Sequence, residues 1–207
     1  MKINYKEILN LPVVEIENFY TTEENNSLIS YCETTAPISW NRPKIKNVPD
    51  ATLNYGEEIK NNYGIQLDEL YTQAGRNICP VFKINRKIFY PEIKEKLKKL
   101  HTFFRYLDTA NRDYTWLHYY KDNDYFDEHN DLSLISAVSV FFKEPKGFKG
   151  GDFFIEGTNF KCKNKSIIIF PSILLHKISP VETKKADIHS SRFSMTQFIY
   201  CDGLKYK

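Results

Sequence analysis

The sequence predicts a mainly β, α+β domain in which an antiparallel sandwich or jelly roll is buttressed by helices packed on one side. Two textures point there. Beyond Asp113 the chain runs as short β-rich segments punctuated by Gly and Pro, whereas two segments before it carry helical periodicity. Length is the third observation: 207 residues suit one well-buried domain better than two. We therefore expect a single unit over 1–207, with helical and loop-rich support over 1–113 and a barrel core over about 114–202.

The elements follow in order. A short strand is expected around Val13 to Ile16. In "FYTTEENNSLISYCETT", Thr21 can cap a helix, Glu24 completes a capping box, and Leu28, Ile29 and Cys32 supply its apolar face. From Ala36 to Gly56, Pro37, Pro43, Pro49 and Gly56 among polar residues predict a long loop or short crossing strands. "PEIKEKLKKLHTFFRYL" opens with Pro91 at a first helical position, and Ile93, Leu97, Leu100, Phe104 and Leu107 form one stripe. His101 lies off that stripe, as a partly exposed structural histidine would. Strands are then expected in "YTWLHYY", "LSLISAVSVFF", "GGDFFIEG", "SIIIFPS", "HKISPVE" and "RFSMTQFIY".

Composition excludes several classes. With 29 basic and 26 acidic residues the net charge is only +3, which argues against nucleic acid as a partner. Cys32, Cys79, Cys162 and Cys201 form no Cys-x-x-Cys pair, so we expect reduced thiols. Neither a signal-peptide core nor a membrane span is present, and a soluble, cytoplasmic protein without a membrane partner is expected.

Chemistry concentrates in "YFDEHNDLS". If this stretch is extended, the period of two puts His129 and Asp131 on one face with Asn130 turned away, which is half of a metal site; the alternative is a surface turn. His176 heads a later strand in "IIIFPSILLHKISPV". Two histidines and one carboxylate from different strands form the facial triad suited to non-haem iron(II), with zinc as the chemical competitor. Arg192 and Ser194 share a face of the last strand. A guanidinium and a hydroxyl there make a clamp for a carboxylate.

Taken in order, the motifs Y-x8-HND, GGD, FPSxLLHxISPV and RFS resemble those of the iron(II)- and 2-oxoglutarate-dependent oxygenases, in their prolyl 4-hydroxylase-like branch. The likeness spans roughly Trp116 to Tyr200 and extends weakly to "IENFYTTEENNSLI". It implies a double-stranded β-helix, Fe(II) held by His129, Asp131 and His176, and 2-oxoglutarate as co-substrate with its far carboxylate on Arg192. Ser194 would assist, and Tyr120 would donate to the co-substrate, unless its neighbour Tyr119 serves instead. The metal ligands would be the only catalytic residues. O2 would be consumed, with succinate and CO2 as co-products and ascorbate as a reductant. Gly150 and Gly151 match the turn before a barrel strand.

Two departures bear on this. The interval from His176 to Arg192 is long, so Lys184 or Lys185 competes for the carboxylate role, and the stretch from Ser39 to Gly64 matches no motif. Asp131 occupies the position a halogenase vacates, and Phe198 stands where a nucleobase demethylase would carry a second arginine. The resemblance implies hydroxylation of a prolyl residue in a peptide or protein, gripped by aromatics such as Trp40, Tyr55 and Tyr63. A free amino acid or other small molecule is the alternative substrate, and a non-catalytic cupin-like module the remaining one.

Overall fold

The computed structural model describes residues 1–39, 53–54, 57–58, 60–71, 74–183, 185 and 187–201. Strands β1 (Lys2–Ile8) and β2 (Leu11–Glu17) form a hairpin whose turn, Leu9 and Asn10, has φ of 51° and 61°. Such primed turns match the twist of the paired strands. Only β2 was legible in the sequence. Helix α1 (Thr22–Ser39) starts on the expected box: the Thr21 N–H donates to Glu24 Oε2 at 2.8 Å and the Glu24 N–H to Thr21 Oγ1 at 3.1 Å. It runs past Ala36 and carries Pro37 inside, so the expected loop starts later than the prolines suggested.

Short pieces follow: β3 (Leu53–Asn54), β4 (Glu57–Glu58), β5 (Lys60–Asn61), β6 (Tyr63–Gln66), α2 (Leu67–Leu70), α3 (Pro80–Asn85) and α4 (Pro91–Leu100). The helix expected to reach Leu107 stops at His101, whose backbone is extended and whose Nδ1 accepts the Phe103 N–H at 3.1 Å. A 3-10 turn (Thr102–Arg105) and α5 (Tyr106–Thr109) continue the apolar stripe from that cap. His101 is thus a structural cap.

The remaining strands are β7 (Arg112–Tyr120), β8 (Tyr125–His129), β9 (Ile135–Phe141), β10 (Phe148–Gly150), β11 (Phe153–Ile155), β12 (Thr158–Phe160), β13 (Ser166–Pro171), β14 (His176–Ile178), β15 (Val181–Thr183) and β16 (Arg192–Tyr200). They build a seven-stranded sheet, order β1-β2-β13-β9-β16-β7-β6, and a five-stranded sheet, order β12-β11-β14-β8-β5, with antiparallel pairing throughout. This is the predicted jelly roll, a double-stranded β-helix.

Alternation along the large sheet divides the interior in two. One face, with Leu117, Tyr119, Phe193 and Met195, packs with Leu28, Phe82, Leu97 and Phe104 of the helical layer. The other, with Tyr120, Val138, Val140 and Ile168, meets Phe126, Phe153 and Ile178 of the small sheet. All four cysteines are free, and among the described residues no helix is long and apolar enough to cross a membrane.

Candidate active site

The space between the two sheets holds the polar cluster. His129 ends β8 and His176 begins β14, and the two are register partners. Between that pair and Ile178–Phe126 the register shifts: two residues of β14 are matched by three of β8. Such a bulge turns both Phe126 and His129 inward although they are three residues apart. Their rings stack at 3.6 Å between centroids, which fixes the imidazole plane. Asp131 lies beyond the end of β8, so a strand period does not place it. Its N–H donates to the Ser172 carbonyl at 3.0 Å, tying the turn after β8 to the one before β14.

Ligand atoms of His129, Asp131 and His176 all lie within 4.8 Å of one another. Asp131 Oδ2 is 3.4 Å from His176 Nε2, and Asp131 Oδ1 is 3.9 Å from His129 Nε2. The histidine Nδ1 atoms face outward: that of His129 is 2.7 Å from the Asp127 carbonyl and that of His176 is 2.9 Å from the Leu174 carbonyl. A carbonyl only accepts, so each Nδ1 carries the proton and each Nε2 presents a lone pair inward. Ser136 Oγ donates to Asp131 Oδ2 at 2.5 Å and lies 2.8 Å from Ser172 Oγ, which holds the carboxylate in place. Burial, with His176 and Lys60 nearby, keeps the His129 pKa well below the ordinary histidine range. Burial also raises that of Asp131. Two neutral imidazoles and one carboxylate converging from one side fit a divalent transition metal with open positions, iron(II) foremost.

Across the cavity stands Arg192. It is fully buried, its Nε donates to the Gly151 carbonyl at 2.9 Å, and both terminal nitrogens lack a hydrogen-bond partner. The guanidinium lies 5.0 Å from the Tyr120 ring centroid. Pairing β16 with β7 sets Arg192 opposite Tyr120 and Ser194 opposite His118, so all four side chains enter the same space. Tyr120 Oη and Ser194 Oγ are also buried and lie near each other, without a bond of full hydrogen-bond geometry to any described residue. Native interiors leave few such groups, and a cluster of them marks a place where something polar binds. Two hydroxyls able to donate and a planar cationic fork that only donates fit a carboxylate. Burial pushes the Tyr120 hydroxyl up to about 12 despite Arg192, so it stays a donor.

Each sequence-named residue can now be located. His129, Asp131, His176, Arg192, Ser194 and Tyr120 all face the cavity. Tyr119 points to the helical side, against Phe193, with Tyr63 stacked on it at 4.8 Å. Lys185 is exposed, and Lys184 lies outside the described residues. Gly151 has φ of +66°, and a Cβ there would come within 2.6 Å of Arg192 Cδ, so this glycine makes room for the guanidinium. Trp40 and Tyr55 lie outside the described residues. Tyr63, in contact with Tyr119, is spent on the helical face.

Three cavity residues escaped the sequence reading. Lys60 is 6 % exposed, with Nζ 3.1 Å from His118 Nε2 and close over the Trp116 and Phe126 rings. Asn62 is fully buried with neither amide atom partnered, beside the Tyr120 hydroxyl. His118, two places before Tyr120, shares its face and was findable by alternation; burial, Lys60 and Arg192 keep it neutral. Lys60 and Asn62 follow a stretch without periodicity and gave no signal.

No family model and no curated protein matches the sequence. Solved structures do match the fold. A prolyl-4-hydroxylase from Pseudomonas putida aligns at TM-score 0.58 and 13 % identity, over 92 % of this chain and 93 % of that one. The viral collagen prolyl hydroxylase of Paramecium Bursaria Chlorella virus-1, in a 2OG complex, aligns at TM-score 0.53 and 15 % identity over 90 % and 94 %. SnoN, a non-heme alpha-ketoglutarate-dependent epimerase from nogalamycin biosynthesis, aligns at 0.57 and 10 % over 91 % and 78 %. The chain has the fold these oxygenases share, with the likeness to prolyl hydroxylases that the motifs suggested.

Proposed function

We propose that the protein is an iron(II)- and 2-oxoglutarate-dependent dioxygenase that hydroxylates an unactivated C–H bond, in a prolyl residue of a peptide or protein. One observation carries the proposal. The space between the sheets holds both an inward-facing His-Asp-His set and, on the facing sheet, a buried arginine with two unpartnered nitrogens. A metal site alone would not explain Arg192, nor an anion site the histidines.

In this reading His129, Asp131 and His176 would hold the metal, and Arg192, with Ser194 and Tyr120, the far carboxylate of 2-oxoglutarate. Iron(II) and 2-oxoglutarate together supply, from O2, an oxidant able to replace C–H by C–OH, with succinate and CO2 as co-products. The chain's own part is to orient and to exclude water. Ser136 and the two outward Nδ1–H bonds fix the ligands, while Phe126, Phe153 and Phe170 wall the histidines with apolar surface. No side-chain general base is needed.

A peptide substrate is supported by the rim. Leu132 (91 % exposed) follows Asp131, and Ile173 (69 %) and Leu175 (40 %) flank the approach to His176. The Asp131–Ser172 backbone bond brings these aliphatic residues to one side of the mouth, as a surface for an extended chain. The test combines iron content, 2-oxoglutarate-dependent succinate formation and mass spectrometry of a proline-containing peptide library incubated with iron(II), 2-oxoglutarate, ascorbate and O2. One added oxygen localised to proline is expected. Succinate formation with oxygen only on free amino acids overturns the peptidyl reading, and absence of iron binding overturns the oxygenase reading.

A further inference from the structure

Lys60 has no role in this reading. It is a buried ammonium, and its neighbours are the neutral His118 imidazole, two aromatic rings and, farther off, Asp131, the carboxylate whose field reaches it. Asp131 is committed to the metal site. The other buried acid near Tyr120, Asp124, is engaged by the Lys121 N–H at 2.9 Å. Among the described residues, then, Lys60 has no carboxylate of its own. Burial lowers its pKa to about 8, and Asp131 opposes the fall.

Charges can be counted with the proposed groups in place. Asp131 and the two carboxylates of 2-oxoglutarate carry three negative charges; iron(II) and Arg192 carry three positive ones. The site is balanced without Lys60. A buried lysine left over from that balance is costly unless another anion arrives. Asn62, fully buried two places along the same short segment, meets hydrogen-bond geometry with no described residue and lies beside the Tyr120 hydroxyl. Lys60 lies between Trp116 and Phe126, the latter stacked on His129, so an anion there sits beside the metal ligands rather than at the Arg192 end.

We propose that Lys60, with His118 beside it, forms a subsite for a carboxylate of the prime substrate, so that the carbon to be oxidised lies close to an acidic group. The proposal rests on the oxygenase reading for the identity of the cavity. Two sources share this chemistry: the α-carboxylate of a free amino acid or C-terminal residue, and the side chain of an aspartate or glutamate beside the target.

The test uses matched pairs in which only the charge differs. They are L-proline and L-prolinamide, a peptide ending in proline as acid or amide, and an amidated peptide with internal Pro-Asp or Pro-Asn. Each is titrated calorimetrically into iron-loaded, 2-oxoglutarate-bound protein without O2, then assayed for oxygen incorporation with it. At least one acid is expected to bind tenfold or more tightly than its amide. Which pair shows the preference identifies the source. Lys60→Met should erase the preference and Lys60→Arg keep part of it, with circular dichroism as the check on folding.

Equal affinity within every pair, or a preference that survives in Lys60→Met, overturns the subsite. The outcome is separable from that of the parent reading. Failure to make succinate from 2-oxoglutarate defeats the oxygenase assignment, whereas the acid-over-amide preference is read from binding alone.

Discussion

The two faces of the seven-stranded sheet are made from the same strands and differ in how their polar atoms are satisfied. On the helical face Phe193, Met195 and Leu117 are buried among apolar neighbours. On the cavity face the alternating partners Arg192, Ser194, Tyr120 and His118 bury polar atoms that meet hydrogen-bond geometry with none of the described residues. Among the described side chains of these strands, the helical face leaves only Gln197 Oε1 buried without a partner. The cavity face would be completed by a ligand, and its uncompensated groups are a stability cost that binding would return.

The largest expected effect breaks the cavity face outright. His129→Ala, Asp131→Ala and His176→Ala are each expected to abolish metal-dependent turnover while leaving a folded, β-rich domain, measured by iron content, succinate formation and circular dichroism. Near-normal iron loading in any one of them removes that residue from the ligand set. Next in size is a change to the opposite face of one strand. Phe193→Ala is expected to lower unfolding free energy by about 3–5 kcal/mol in a denaturant titration, because it empties a fully buried site between Phe141 and Tyr119.

Its neighbour should behave in the opposite way. Arg192→Met is expected to weaken 2-oxoglutarate by about 1.5–3 kcal/mol, at least a tenfold rise in Kd, through loss of a charge-assisted pair. The same change should raise the stability of the ligand-free protein by about 1 kcal/mol, since it removes a buried cation without a counter-charge. Unaltered 2-oxoglutarate binding would move the anchor elsewhere, and a stability loss matching that of Phe193→Ala would show that the faces do not differ as described. Tyr120→Phe is the milder form: about 1.5 kcal/mol off co-substrate binding, with thermal stability nearly unchanged because the hydroxyl makes no well-formed bond to the described residues.

Legibility in the sequence follows the same division. Strand alternation and turn residues revealed β7, β9, β13 and β16, and with them the facing of Arg192 and Ser194. Alternation also separates Tyr119 from Tyr120, but which face is the cavity depends on which sheet lies opposite, and a single strand does not contain that. The proposed histidine ligands were grouped for partly the wrong reason. A bulge turns His129 inward and a turn, not a strand, carries Asp131. Lys60 and Asn62 were invisible because a short edge segment has no period to read, and β1 because its charged and apolar residues alternate as they also would in a loop. Helix α4 ended early because His101 caps the following turn through its own ring, a local competition that an apolar stripe does not reveal.

The smallest effect sharpens the comparison by leaving the cavity untouched. Thr21 caps α1, which presents Leu28, Ile29 and Cys32 to the helical core, and Glu24 closes the box while its Oε2 also takes Lys87 Nζ at 2.7 Å. Thr21→Ala removes one of the few acceptors available to the first-turn N–H groups, so a loss of about 1 kcal/mol is expected. Glu24→Ala should cost slightly more, since it releases the ion pair as well, and the double variant should cost less than the sum because both residues serve one box. Neither residue touches the space between the sheets. Affinity for 2-oxoglutarate, measured calorimetrically on the iron-loaded protein, should therefore stay at the parent value while the denaturation midpoint falls. If co-substrate affinity drops in step with stability, ordering of the helical layer is coupled to the cavity, and the two faces of the sheet are not independent.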